Sequence, residues 1–353
     1  MEPFRHTLLQ GWAYDQSHSD RSAVVSVFAD GWLAGCTIAD RFRGDLGAAG
    51  IGDGCHSFEF DLAGKVAAVK HIEAWVANSD YQLPTFGDLD YEELNERLAA
   101  SNRDPSPPAP GLALDRDLLA RLDHLALTNA RDYQRAQPFP FVVFDGFLPL
   151  EAARRALRDF PQPKAIDWFD RSDEHSQRKL GFTNVDLLPA SLKGILDFFN
   201  SKPFLQFLER LTGIDGLIPD PYYMGGGLHQ IQPGGKLDIH VDFNRHPKLR
   251  LDRRLNLLLF LNEDWREEYG GHLELWNRDM SAVAEKILPV FNRCVIFNTT
   301  EWSYHGHPDP LNCPPDRTRK SIAIYHYTNG RPEEEQAAPH LTLWQRRPDT
   351  VER

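Results

Sequence analysis

The run Lys236-Leu-Asp-Ile-His-Val-Asp-Phe243 alternates apolar and polar residues and reads as a β-strand. On a strand, residues i and i+2 leave the same face, so His240 and Asp242 converge on one point. The pattern His-x-Asp occurs three times, at His18/Asp20, His240/Asp242 and His307/Asp309. The first lies in a polar, loop-like stretch. The third is flanked by Pro308 and Pro310, which predicts a turn. The middle copy alone has the strand context that aims both side chains together. Two more strand-like runs follow it. Asn292-Arg-Cys-Val-Ile-Phe-Asn298 leads towards His305, and Arg319-Lys-Ser-Ile-Ala-Ile-Tyr-His-Tyr327 opens on an arginine.

Around this stretch the chain has 353 residues, a length that predicts two domains with buried cores. A net charge of −12 argues against nucleic acid or an anionic membrane as the main partner. One basic cluster, Arg245, Lys248, Arg250, Arg253 and Arg254, reads as a solvated rim. Cys36, Cys55, Cys294 and Cys313 show no metal spacing, and a reduced, cytoplasmic protein is the simplest expectation. No basic-then-apolar leader opens the sequence, and no apolar run approaches a membrane-spanning length.

Taken in order, residues 1–88 predict a small all-β domain, with short apolar runs separated by turns such as Asp30-Gly31. Gly11-Trp-Ala-Tyr-Asp15, Gly50-Ile-Gly-Asp-Gly54 and His56-Ser-Phe58 resemble an accessory β-sandwich module of the kind found beside bacterial glycosyltransferases. Trp12 and Trp32 read as core residues before sugar contacts. Residues 89–113 predict a linker, with a short helix at 91–98 and a Pro-rich stretch at 104–111 that suggests independent folding units. The third unit, 114–335, begins with helices near 115–135, 150–160, 192–199 and 204–211, Ser201 being a cap candidate and Gly213 a stop. Its second half is rich in strands. The expected architecture is therefore a β-barrel core buttressed by helices, followed by a polar, peripheral tail at 336–353.

Two histidines, one carboxylate and a distant arginine fit Fe(II) held on one face of an octahedron, with open positions for a chelating co-substrate and O2. Gln232-Pro-Gly-Gly-Lys236, His240-Val-Asp242, Leu257-Leu-Leu-Phe-Leu-Asn-Glu-Asp-Trp265, Gly270-Gly271, Phe291 to Phe297, His305 and Arg319 to Tyr327 stand in a telling order. Across residues 138–330 the chain resembles the prolyl-4-hydroxylase-like branch of the Fe(II)/2-oxoglutarate dioxygenases. The resemblance implies a double-stranded β-helix (jelly-roll) fold and hydroxylation of an unactivated C–H bond, with release of succinate and CO2. It implies His240, Asp242 and His305 as iron ligands and Arg319 as the anchor of the far carboxylate, with ascorbate as a further cofactor. In the hypoxia-sensing members the third ligand stands eight residues beyond the closing aromatic, which from Phe297 gives His305 over His307. Strand parity puts Arg319 opposite to Lys320, and the match puts it inward; Arg317 is the other rival.

One position departs from the family pattern. Where many members carry a tyrosine that helps hold the co-substrate, this chain has Phe260, and Asn256, of the same parity, or another polar group is the expected substitute. His229, His246, His272 and His326 read as structural or surface groups. Trp302, Tyr304 and Tyr325 are candidates for the substrate wall. Peptide, small-molecule and glycan substrates all stay open, because substrate loops vary most within a fold. A non-catalytic binding protein on the same fold is the reading from a different class.

Overall fold

The computed structural model describes residues 2–5, 7–16, 19, 21–76, 81–84, 90–101, 112–170 and 172–348. In the N-terminal part, strands β1 (Glu2–Arg5), β2 (Leu8–Trp12), β3 (Ala23–Ala29), β4 (Trp32–Ala39), β5 (Arg41–Phe42), β6 (Cys55–Asp61) and β7 (Ile72–Val76) form two antiparallel sheets. One runs β1-β2-β6-β5 and the other β4-β3-β7. Asp30 and Gly31 join β3 to β4 with φ of 51° and 84°, the left-handed pair that a tight hairpin requires. A short helix, α1 (Gly44–Ala48), precedes β6.

Helix α2 (Tyr91–Ser101) is the short helix expected at 91–98, and it packs onto the N-terminal domain. Leu94 and Leu98 form a one-turn apolar stripe and are buried in the N-terminal core with Leu9, Val25 and Phe58. Asn95 fixes the helix by exchanging hydrogen bonds with the backbone of Val69, at 2.8 and 2.9 Å. Residues 102–111 of the Pro-rich stretch lie outside the described residues. Contact between the two halves is also closer than a flexible linker suggests. Val24 and Cys36 share a buried cluster with Ile218, Leu249, Leu251 and Tyr327. Lys202 donates its backbone N–H to Gly31 and holds its ammonium 3.6 Å from the Trp75 ring centroid. Trp32 packs against the main core, whereas Trp12 is 37% exposed.

The second part follows the expected order. Helix α3 (Arg116–Arg135) starts at Asp115, whose carboxylate accepts from the Leu118 N–H. Strand β8 (Phe141–Phe144), helix α4 (Leu150–Asp159), strands β9 (Phe169–Asp170) and β10 (Ser176–Phe182), and helices α5 (Ala190–Phe199) and α6 (Lys202–Thr212) come next. Gly213 ends α6 with φ of 73°. Ser201 stands at the N-cap of α6 as expected, although its hydroxyl donates to the Phe198 carbonyl at 2.7 Å and makes no cap bond to the helix. The helices bury Leu118, Leu122, Phe198 and Phe204 against one sheet face bearing Leu257 and Ile324. Truncating a fully buried phenylalanine such as Phe204 would cost roughly 3–5 kcal/mol.

Strands β11 (Gly227–Val241), β12 (Asp252–Phe260), β13 (Leu273–Trp276), β14 (Val283–Ile287), β15 (Arg293–Asn298), β16 (His305–His307), β17 (Arg319–Thr328) and β18 (Leu343–Trp344) complete the fold. They form one curled antiparallel sheet in the order β14-β13-β16-β11-β17-β12-β15-β8, the expected jelly-roll. The long β11 belongs to both layers. Its first part pairs with β17 and its last part with β16. Between them the register against β10 jumps from Lys179↔Ile231 to Gln177↔Lys236, so Gln232-Pro-Gly-Gly235 bulges. A Cβ on Gly235 would stand 2.6 Å from Ile231 Cγ2 and 2.7 Å from the Gln177 carbonyl. That bend points the end of β11 across the barrel mouth.

One further expectation is corrected. His307 is not in a turn: it lies in β16, opposite Leu237, and is 3% exposed. The tail at 336–348 is exposed or half-buried, as expected, yet it is fixed to the barrel. Strand β18 pairs with the end of β11 at Val241 and His240, and Arg347 reaches Asp309 at 2.7 Å. Two residues of backbone pairing, the Trp344 ring and contacts such as those of His340 with Asn244 and Glu301 hold this segment, a set too scattered for periodicity to carry.

Candidate metal centre

Strand pairing assembles the centre. His240 on β11 lies directly opposite His305 on β16, and Asp242 follows one residue beyond β11. Gly306 makes the pairing close: a Cβ there would meet the Asp238 carbonyl at 2.7 Å. One ligand atom each from His240, Asp242 and His305 lie within 4.8 Å of one another, among the described residues the one such group of three. His305 Nε2 is 3.3 Å from Asp242 Oδ2, and His240 Nε2 is 3.7 Å from Oδ1.

The donor set fits a metal. His240 Nδ1 sits 2.9 Å from the Asp238 carbonyl and His305 Nδ1 2.8 Å from the Ser303 carbonyl. A carbonyl can only accept, so each Nδ1 carries a proton, and Nε2 is the ring nitrogen left facing Asp242, where a metal would bind. Burial and the neighbouring His305 press the His240 pKa down, which favours the neutral form that a metal requires. Burial works against ionisation of Asp242, yet Arg253 and His305 outweigh it and hold the carboxyl well below the usual range.

Arg253 is the residue that sequence reasoning misplaced. Expected on a solvated rim, it is 1% exposed and lies 3.1 Å from Asp242 Oδ2. Its guanidinium covers the Tyr325 ring at 3.4 Å and donates twice to Asn256 Oδ1, at 2.9 and 2.6 Å. Arg254 is buried too, paired with Glu335 at 3.3 Å. Asn256 then donates to Asp242 Oδ2 at 2.6 Å. Its carbonyl and one amide hydrogen are therefore taken up in orienting the carboxylate, a different task from the co-substrate contact expected of it.

The three clustered residues line a cavity together with His307, Ser321 and Arg319. Arg319 is 5% exposed, with Nε donating to the Gly271 carbonyl at 2.8 Å and the guanidinium 4.8 Å from the Phe260 ring centroid. Burial pushes its pKa down to about 9, and no carboxylate pairs with it among the described residues. A buried cation without a counterion is a site for an anion. The rivals lie elsewhere: Arg317 donates to the Glu263 carbonyl, and Lys320 to Thr318 Oγ1.

The remaining candidates separate clearly. Tyr325 lines the cavity and donates to the Gly225 carbonyl at 2.9 Å. Trp302 instead lies beneath Arg278, and Tyr304 offers its carbonyl to the Trp276 N–H. His229 lines the cavity, its Nε2 3.0 Å from the Gly225 carbonyl. His246 is buried against Asp220 at 3.2 Å, His272 meets Glu267 at 2.8 Å, and His326 meets the Phe199 carbonyl at 2.9 Å. Trp344 was not foreseen; its ring lies 5.1 Å from that of His240 and 4.8 Å from that of His175. A lone tryptophan in a polar tail was the available signal.

Residues 226–327 match the model of the 2OG-Fe(II) oxygenase superfamily. The chain carries a 2OG-Fe(II) oxygenase domain. All three clustered residues and Arg319 lie inside the matched segment of this domain. No curated protein matches the chain. Among solved structures, a Trichoplax adhaerens prolyl hydroxylase in complex with a hypoxia-inducible-factor peptide fragment is similar at a TM-score of 0.43 and 16% identity. The similarity covers 61% of this chain and 94% of that one. A Pseudomonas putida prolyl-4-hydroxylase is similar at 0.40 and 18%, covering 60% and 100%. HygX from Streptomyces hygroscopicus, with nickel and 2-oxoglutarate bound, is similar at 0.40 and 11%, covering 65% and 97%. Likenesses this distant leave the substrate of the oxygenase domain open.

Proposed function

We propose that this protein hydroxylates an unactivated C–H bond using Fe(II) and 2-oxoglutarate, with His240, Asp242 and His305 as iron ligands and Arg319 as the co-substrate anchor. The observation that carries the reading is a cavity lined both by a His/Asp/His cluster and by a buried arginine that no carboxylate pairs with among the described residues. Bound Fe(II) and 2-oxoglutarate would activate O2, which is the oxidant: one oxygen atom would go to the substrate and the other to succinate as CO2 leaves. The protein's own work is positioning. The Asp238 and Ser303 carbonyls keep the Nδ1 protons of the two histidines and so fix the tautomer presented to the metal. Arg253 and Asn256 hold the Asp242 carboxylate in one orientation. Arg319 offers a planar pair of donors that matches a carboxylate. Trp344 packs its ring against His240, with centroids 5.1 Å apart, and helps hold that imidazole in place.

The test begins under argon with the full chain, Fe(II) and 2-oxoglutarate, where a weak visible charge-transfer band is expected. Admitting air should release succinate, and prolyl peptides, small molecules and glycans are then compared as stimulants of that release. Absence of both band and succinate would favour a non-catalytic binding protein on the same fold. Arg319→Ala should keep iron and raise the 2-oxoglutarate requirement, since loss of a buried charge-assisted contact is worth roughly 2–5 kcal/mol.

A further inference from the structure

We propose that His307 is a second anchor for the distal carboxylate of 2-oxoglutarate, supplying the donor that a phenylalanine at position 260 lacks. This rests on the co-substrate reading given above. His307 is 3% exposed, and neither ring nitrogen has a hydrogen-bond partner among the described residues. Buried polar groups nearly always have partners, so two orphaned nitrogens on one ring call for a ligand. His307 lines the same cavity as Arg319 and Lys179, and these are the cations whose fields bear on it most.

Its place on the strand sets the role. His305 and His307 share a face of β16, while Gly306 between them is pressed against the Asp238 and Leu237 carbonyls. One full pleat separates the two imidazoles, about 7 Å along the wall. That suits a five-carbon diacid with one end at the metal and the other between Arg319 and His307. Phe260 lies beneath Arg319 and offers no hydroxyl. Asn256 is tied to Asp242 and Arg253. His307 is outside the close ligand cluster, so a metal-binding role does not account for it.

The measurement is the dissociation constant of 2-oxoglutarate, read from the visible band of the anaerobic Fe(II) protein. His307→Leu should weaken binding about tenfold or more, which corresponds to ~1.4 kcal/mol or more. His307→Gln, which restores a donor, should recover part of it. Iron content should match the wild type. Binding of 2-oxobutyrate, which lacks the distal carboxylate, should not change. Equal 2-oxoglutarate affinity in His307→Leu and wild type would overturn the proposal, as would an equal loss for both oxo acids. Should the leucine variant fail to fold, the Zn(II)-loaded wild type answers the same question. There an imidazole resonance missing from His307→Gln should shift on adding 2-oxoglutarate, and an unmoved resonance overturns the proposal. A wild-type band with an unaffected His307→Leu sinks this inference alone. A wild type without any 2-oxoglutarate-dependent band sinks the co-substrate reading together with it.

Discussion

Replacing Arg253 by methionine tests how the centre is held together before any metal arrives. The guanidinium and Asp242 stand 3.1 Å apart, with Arg253 1% exposed. At an effective dielectric of ~20, Coulomb attraction at that distance is about 5 kcal/mol. Desolvation of both groups offsets much of it in the intact pair. Removing one partner leaves the other buried and uncompensated, which costs about 3–5 kcal/mol. Methionine keeps most of the volume against Tyr325 and Phe243, so a cavity adds little. In chelator, urea unfolding of Arg253→Met should therefore fall short of the wild type by that amount. Added Zn(II) or Fe(II) should act in the opposite sense. The arginine repels a cation bound at Asp242, so the variant should gain more stability from saturating metal than the wild type gains. Coincident unfolding curves in chelator would refute this account of the pair. A metal-induced gain smaller than the wild type's would refute the assigned sign.

Other expectations follow from the same contacts. His305→Ala should lose metal in a binding titration with little change in chelator stability, whereas Asp242→Ala should lose metal and also be destabilised, because Arg253 is stranded; equal stability of the two variants would contradict the pairing. His326 is buried with its pKa lowered to about 4, chiefly by burial, against an ordinary value of 6.5. The unfolded chain takes up that proton first as pH falls, so the stabilisation is complete above the ordinary value and is lost as pH approaches 4. The difference amounts to roughly 3 kcal/mol; His326→Leu should flatten that part of the stability–pH curve, and a parallel curve would refute the assignment. Removing residues 1–111 should expose Ile218, Leu249 and Leu251 and give an aggregating or low-melting protein, contrary to the independent units suggested by the Pro-rich linker. A truncated protein that stays soluble with an unchanged Tm would restore the independent-unit view.

Much of the centre was legible in the chain because strand periodicity is a local property. The alternation around His240 and Asp242 already sends both side chains to one side. The parity of the final strand likewise separates Arg319 from Lys320. The helices were readable from their apolar spacing, and Gly213 from the left-handed backbone that ends α6. What the sequence could not determine depends on where a strand breaks register or what a distant segment covers. Arg253 seemed a solvated charge because parity cannot be counted through a bulge. Against β17, Arg253 faces Tyr327 and Leu255 faces His326, so one extra residue reverses the faces between them. That bulge brings a buried cation onto Asp242. His307 looked like a turn residue beside two prolines until pairing with Leu237 drew it into β16 and placed its bare imidazole in the cavity. Trp344 had no local pattern, because its position comes from the open edge of β11 and from the His175 ring, each far away in the chain. Side-chain direction follows from neighbours along the strand, but the partner that meets a side chain is chosen by register and closure, which exist only once the sheet has curled.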